Sequence, residues 1–481
     1  LLLRTTYDKT LRHLICQQKT IMNIINKKIF ANRALLPDGW ANNILIEIDN
    51  SGIISKIIEN FDRDEKGFDL DEDIIIPAMN NLHSHGFQRA MAGLTEGQSS
   101  DGNDSFWTWR NLMYKFLDVL TPEEIYVITL FSQMEMLEAG YTSVGEFHYI
   151  HNQIGGEKYD NIAELSERVL EASKDSGIGI CLLPVLYERG GCDGRKLSGG
   201  QLRFHNSFDT FTDLIGKIKK MVSSNELFSS GVAAHSLRAV SKEDLNKISE
   251  INDGPIHIHV AEQVQEVEEV EKFYGKRPVE WLIENFDINE RWCFIHCTQM
   301  TKSETLNLAN SGAVAGLCPV TEANLGDGIF NGLEYFQNKG MFGLGTDSNI
   351  NISLVEEIKT FEYSQRLINK KRAVISNKNK SSGRIIFDHS LSGGSRALQT
   401  NSGKIENGLC ADLLSFKVDN MELDGLDGDK ILDYFIFASK GNLINRVWKN
   451  GKCLVRGGKH IHSEMINSKY QKTIKKLKNL L

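Results

Sequence analysis

Six of the chain's 13 histidines fall in short motifs that could converge on one ion: His83-Ser84-His85, His235, His257-Ile258-His259 and His296. Residues i and i+2 of a strand point to the same side, so His83 and His85 can grip one metal together. An H-x-H pair alone is a weak signal, and each histidine singly reads as a buried ring donating to a backbone carbonyl. Their joint placement, each at the end of an apolar run of strand type, is hard to explain without a metal or proton-transfer site. Asp347, in Gly343-Leu344-Gly345-Thr346-Asp347-Ser348, puts a carboxylate at another such end. Three or more imidazoles with one carboxylate suit Zn²⁺, with Fe²⁺ second, and leave a position open for water. No Lys occurs from Gly231 to Val240 to bridge a metal pair, so one ion per subunit is expected. His257 and His259 share a face, and alternation leaves open which of them is the ligand.

Glu262, three residues after His259, lies just past a strand end, where it could exchange a proton with a substrate nitrogen without binding the metal. Its plainer reading is an acidic helix start, and Glu266, Glu268 and Glu269 beyond it read as a solvated face. Arg238, three residues after His235, offers a planar fork that pairs bidentately with a carboxylate. A structural ion pair is the ordinary alternative for a lone Arg.

The elements that must position these groups alternate. Apolar runs at Ile178–Leu186, Gly231–Ala234, Ile256–Val260, Cys293–His296, Ala313–Leu317 and Met341–Gly345 are separated by amphipathic stretches such as Thr121–Ala139, Ile162–Ser176 and Ser241–Ile251. Such repetition predicts a parallel sheet, and at this length a (β/α)₈ barrel of TIM type, with chemistry at the C-terminal ends of its strands. A doubly wound sheet ranks second, because no G-x-G-x-x-G opens a helix. The run Asp73–Ile76 is taken as the strand that delivers His83 and His85. Short β patterns at Lys28–Ala34, Asn43–Ile48 and Ile53–Ile58, and again at Ala411–Val418 and Asn445–Val455, predict a small β-sandwich built from both ends. The expected division is residues 22–76 with 405–462 for the sandwich, 77–404 for the catalytic barrel and 463–481 for a C-terminal helix packed on the body. Met22 opens the first strand pattern, so residues 1–21 are expected to be a non-native or disordered extension. The polar stretch Asn377–Gly383 reads as an exposed loop.

With 41% hydrophobic and 25% charged residues among 481, the composition is that of an ordinary globular protein. The net charge of −8 argues against a nucleic-acid partner, which needs a basic face. No apolar run of about 18 residues predicts a membrane span. The eight cysteines lack C-x-x-C spacing and read as reduced core thiols of a cytoplasmic protein.

The order H-x-H, His, H-x-x-E, His, Asp resembles the amidohydrolase superfamily and, within it, the formimidoylglutamate deiminase family. Longer blocks carry the second likeness: Asn81 to Glu96, Ser105-Phe106-Trp107-Thr108-Trp109-Arg110, Gly145 to Tyr149, Ala234 to Arg238, His257 to Gln263, and Cys318 to Gly328. The resemblance implies metal ligands at His83, His85, His259 and Asp347, which selects His259 over His257. It implies Glu262 and His296 as the catalytic pair, with Asp347 accepting a proton from water. Gln88, Tyr149, His235 and Arg238 would surround the carboxylates of a small dicarboxylate substrate, with Arg110 as a further contact. Cys297 and Thr346 depart from the family's usual residues without removing a functional group. The implied reaction is hydrolysis of N-formimidoyl-L-glutamate to N-formyl-L-glutamate and ammonia in histidine degradation, by a homodimeric cytoplasmic enzyme. Two alternatives stand beside it. A deaminase of aromatic rings such as guanine would use Trp107 and Trp109 for stacking. A non-catalytic barrel scaffold would be expected to have lost ligands that are all present here.

Overall fold

The computed structural model describes residues 27–65, 67–97, 105–416, 421–440 and 443–478. The expectation for residues 1–21 lies outside them. Eight parallel strands follow one another around a barrel: Met79–Ser84, Tyr141–His148, Gly179–Leu186, Val232–Ala234, Ile256–Val260, Trp292–His296, Val314–Leu317 and Met341–Leu344. Most of their residues are buried on both faces, as expected where helices cover the outside and side chains fill the inside. Phe228–Ser230 adds a short strand beside Gly179–Leu186.

The last strand meets the first through a single parallel bridge, Ser84 with Asp347. Across that seam the His85 amide donates to the Asp347 carbonyl (2.9 Å), and the Thr346 and Asp347 amides both donate to the His83 carbonyl (3.0 Å). Gly345 makes the approach possible, since a Cβ there would lie 2.8 Å from the His83 backbone. Candidate ligands thus sit on both sides of the barrel's closure.

The strand that carries His83 is not the one the apolar run points to. Asp73–Ile76 falls in Leu70–Pro77, which pairs parallel with Lys28–Leu36 and antiparallel with Leu413–Phe416. Only Ala78 separates it from the barrel strand Met79–Ser84. The switch hides in the sequence because the barrel strand carries Asn80 and Asn81. Their amides are satisfied by Ser395, Thr400 and Ser402 in one case and by Thr346 in the other.

The two ends of the chain form one continuous sheet of eight strands. Its order runs Lys459–His460, Lys452–Arg456, Ile444–Lys449, Leu413–Phe416, Leu70–Pro77, Lys28–Leu36, Gly39–Ile48, Ile54–Ile58. It has its own core, including Ile29, Ile44, Ile46, Ile75, Leu413 and Trp448. The helix Ser463–Lys478 packs on the helix Pro122–Glu138, with Tyr470 stacked on Phe131 at 3.7 Å. Among the described residues no helix is long and apolar enough to cross a membrane.

Candidate active site

Three strand ends bring together His83 and His85, His259, and Asp347, with their donor atoms all within 4.8 Å of one another. His83 Nε2 lies 3.2 Å from His259 Nε2 and 3.4 Å from Asp347 Oδ1, and His85 Nε2 lies 3.1 Å from the same oxygen. Ligand atoms around a tetrahedral ion are about 3.3 Å apart when each bond is about 2.0–2.1 Å. His85 Nδ1 faces the Phe147 carbonyl and His259 Nδ1 the His235 carbonyl, each at 3.0 Å. A carbonyl only accepts, so each Nδ1 carries the hydrogen and each Nε2 turns a lone pair inward. Burial, with His85 adding repulsion, outweighs Asp347 and holds the His83 imidazole down to about 3. Burial and the neighbouring imidazoles hold His259 well below its ordinary range. Neutral rings aim acceptors at one another and at a carboxylate, an arrangement that a divalent cation satisfies and that an empty core does not. The donor set fits a metal.

Local backbone strain surrounds this centre. Ala261, His296 and Asp347 have φ of 52°, 73° and 45°, in the left-handed region. The first is braced by Glu266, whose carboxylate accepts from the Ala261 amide (3.2 Å) and the Glu262 amide (2.9 Å). The expectation that Glu266 belongs to a solvated face is therefore corrected: it is buried and shapes the turn that presents Glu262. The acidic run after a helix start cannot by itself show which member folds back.

Glu262 Oε1 lies 3.8 Å from His296 Nε2. Burial, with repulsion from Asp347 and Glu266, raises its carboxyl to about 7 against the attraction of His296. His296 Nδ1 contacts Glu322 Oε1 at 3.3 Å, and the same oxygen accepts from the Cys318 amide at 2.8 Å. Burial would lower the imidazole, but Glu262, Glu322 and Asp347 outweigh it and raise it well above the usual histidine range. Glu322 lies in the family-like block Cys318 to Gly328, yet nothing in its spacing singles it out.

One cavity, with about 540 Å³ of empty space, is lined by Gln88, Arg110, Tyr149, His235 and Arg238 together with His85, His259, Glu262, His296 and Asp347. All the sequence-predicted site residues meet here, with His83 just behind the wall. Gln88 Nε2 donates to the Tyr149 hydroxyl (2.7 Å) and leaves its Oε1 without a partner. Arg110 donates to the Tyr187 hydroxyl at 3.1 Å. Arg238 is buried and its Nε has no hydrogen-bond partner. Among the described residues neither arginine forms an ion pair with a carboxylate. His257 lies outside the cluster, its Nε2 donating to the Ala397 carbonyl at 2.8 Å.

The family model described as the amidohydrolase family matches residues 74–454, from the last terminal strand before the barrel to the closing strands of the terminal sheet. This chain belongs to the amidohydrolase family. A second model, the N-terminal domain of formimidoylglutamate deiminase HutF, matches residues 26–60. The chain is 42% identical to formimidoylglutamate deiminase of Pseudomonas aeruginosa over 91% of its own length and 96% of that protein. An amidohydrolase from Brucella melitensis superposes with a TM-score of 0.88 at 42% identity, covering 94% of this chain and 99% of that one. A zinc-bound adenosine deaminase from Xanthomonas campestris shares the fold, with a TM-score of 0.79 at 18% identity over 94% of this chain and 98% of its own.

Proposed function

We propose that this amidohydrolase hydrolyses N-formimidoyl-L-glutamate to N-formyl-L-glutamate and ammonia in histidine degradation. Its likeness to the Pseudomonas aeruginosa deiminase over nearly the whole chain supports that reaction. The observation in the site that carries the reading is the pair Arg110 and Arg238, cations without carboxylate partners beside a metal-ligand cluster. A buried cation without a counter-ion is costly, and an anionic substrate resolves that cost. The two carboxylates of the glutamate moiety match two cations. A neutral aromatic ring substrate offers them no counter-charge.

In this reading His83, His85, His259 and Asp347 hold one Zn²⁺ per subunit, with Fe²⁺ as the second candidate. When bound, such an ion polarises substrate and lowers the pKa of a coordinated water toward about 7. Asp347 is kept ionised, because the imidazoles beside it outweigh the effect of burial, and it can take a proton from the attacking water. Glu262, whose carboxyl burial raises to about 7, can give a proton to the departing nitrogen as the C–N bond breaks. His296, charged and fixed by Glu322, steadies the developing negative charge on oxygen. Gln88, Tyr149 and His235 orient the glutamate moiety with the arginines. We take the enzyme to be a homodimer in the cytoplasm. The free thiols of the described cysteines support the compartment.

Ammonia release from N-formimidoyl-L-glutamate, compared with guanine and adenosine, tests the reading. Turnover of the linear amidine alone is expected, and activity confined to rings would overturn it.

A further inference from the structure

Trp107 touches the two cations of the cavity without lining it. The guanidinium carbons of Arg110 and Arg238 lie 5.6 and 5.5 Å from its ring centroid. Both arginines line the cavity, as does Trp109, whereas Trp107 does not. The arginines arrive from separate places, Arg110 from the helix Phe106–Leu117 and Arg238 from the loop after Val232–Ala234. Trp107 lies in the first turn of that helix, which is fixed by Ser105: its hydroxyl accepts from the Trp107 amide at 3.3 Å.

Two guanidiniums at one cavity repel, and a low-dielectric surround strengthens that repulsion. Before any anion binds, something other than a carboxylate must hold them. The face of an indole is the strongest aromatic attractor of cations, effective within about 6 Å. One ring meets that distance for both. The Tyr114 ring, 5.3 Å from the Arg110 guanidinium carbon, and the Tyr187 hydroxyl also hold Arg110, whereas the Trp107 ring contacts both arginines.

We propose that Trp107 is a positioning residue for dicarboxylate recognition: its indole preassembles Arg110 and Arg238 into a two-cation clamp. The inference rests on the proposed substrate class, and it gives Trp107 a role other than stacking on a substrate ring. Preassembly removes an ordering cost from binding, so its loss falls on affinity more than on the chemical step.

The test uses the metal-loaded protein and the variants Trp107→Leu and Trp107→Phe. For N-formimidoyl-L-glutamate, Trp107→Leu is expected to raise KM about 10-fold, the scale of two weakened cation–π contacts, with kcat within about 2-fold. Trp107→Phe keeps an aromatic face and is expected to recover most of the loss. Against N-formimidoyl-4-aminobutyrate, which has one carboxylate, the penalty should shrink to about 3-fold. An unchanged KM, equal KM values for the Leu and Phe variants, or an equal penalty for both substrates would each overturn the proposal. Glutarate binding by calorimetry separates this from the proposed reaction. Weaker glutarate binding in Trp107→Leu upholds the clamp even if the wild type fails to turn over the amidine, an outcome that defeats only the reaction. Unaltered glutarate binding defeats the clamp even where turnover is normal.

Discussion

His257 and His259 occupy the same strand, two residues apart and both buried, yet they face different fates. His259 gives Nδ1 to a backbone carbonyl and keeps Nε2, the atom at the tip of the ring, for the cluster. His257 gives Nε2 to the Ala397 carbonyl and so closes its tip off. The same division separates His85 from His151 and His460, whose Nε2 atoms face the Val185 and Ser176 carbonyls. Burial does not make a histidine a ligand. For His85 and His259 against His257, His151 and His460, the nitrogen that the backbone takes decides whether the far-reaching lone pair is free.

The largest expected effect comes from exchanging the two fates. Asn at 259 removes the inward lone pair. His259→Asn should lose bound metal by elemental analysis and reduce turnover about 10³-fold or more, since the ion supplies several kcal/mol of stabilisation. His257→Asn should keep metal and turnover within a few-fold while costing about 1–3 kcal/mol of stability for the broken buried hydrogen bond. Equal metal loss in both variants would dissolve the distinction.

Glu262→Gln comes next. It preserves shape and metal but removes the titrating group, so kcat should fall about 10²–10⁴-fold with metal content unchanged. Arg238→Ala acts on the substrate side of the same cavity. A loss of about 10²-fold in kcat/KM, again with metal retained, is expected for one charge-assisted contact to a carboxylate. Undiminished turnover of N-formimidoyl-L-glutamate would show that the carboxylates bind elsewhere.

His460 gives the smallest effect and probes a histidine outside the site. Its Nε2 donates to the Ser176 carbonyl, its Nδ1 accepts from the His462 amide at 3.1 Å, and burial lowers its pKa to about 4. The unfolded chain takes up this proton near pH 6.5, the folded chain only near 4. The stability it contributes is therefore full above about 6.5 and is lost as pH falls from there toward 4. His460→Gln should flatten the fall of Tm across that window, as followed by calorimetry. An unaltered slope would mean that other groups carry it.

Much of this site is legible in the sequence because the barrel puts chemistry at strand ends. His259, Glu262, His296 and Asp347 could be placed from apolar runs that reappear as strands, Ile256–Val260 without any change of boundary. The strand of His83 was not legible by that route, since Asn80 and Asn81 are polar and their bonding partners lie more than 250 residues away. Glu266 reads as an ordinary helix acid, and nothing in its spacing singles out Glu322, until folding turns the first onto the Ala261 turn and the second onto His296. The nitrogen each histidine presents is set by carbonyls such as Ala397 and His235, which no spacing along the strand can reveal.

The most direct test of a hydrolytic metal centre at His83, His85, His259 and Asp347 is ammonia release from N-formimidoyl-L-glutamate during metal titration. Protein stripped by chelation would be titrated with Zn²⁺, and bound metal measured alongside turnover. Activity should be absent in the stripped protein and rise in proportion to bound ion, saturating at about one per chain. Turnover that persists after stripping, or metal that binds without restoring it, would contradict the assignment.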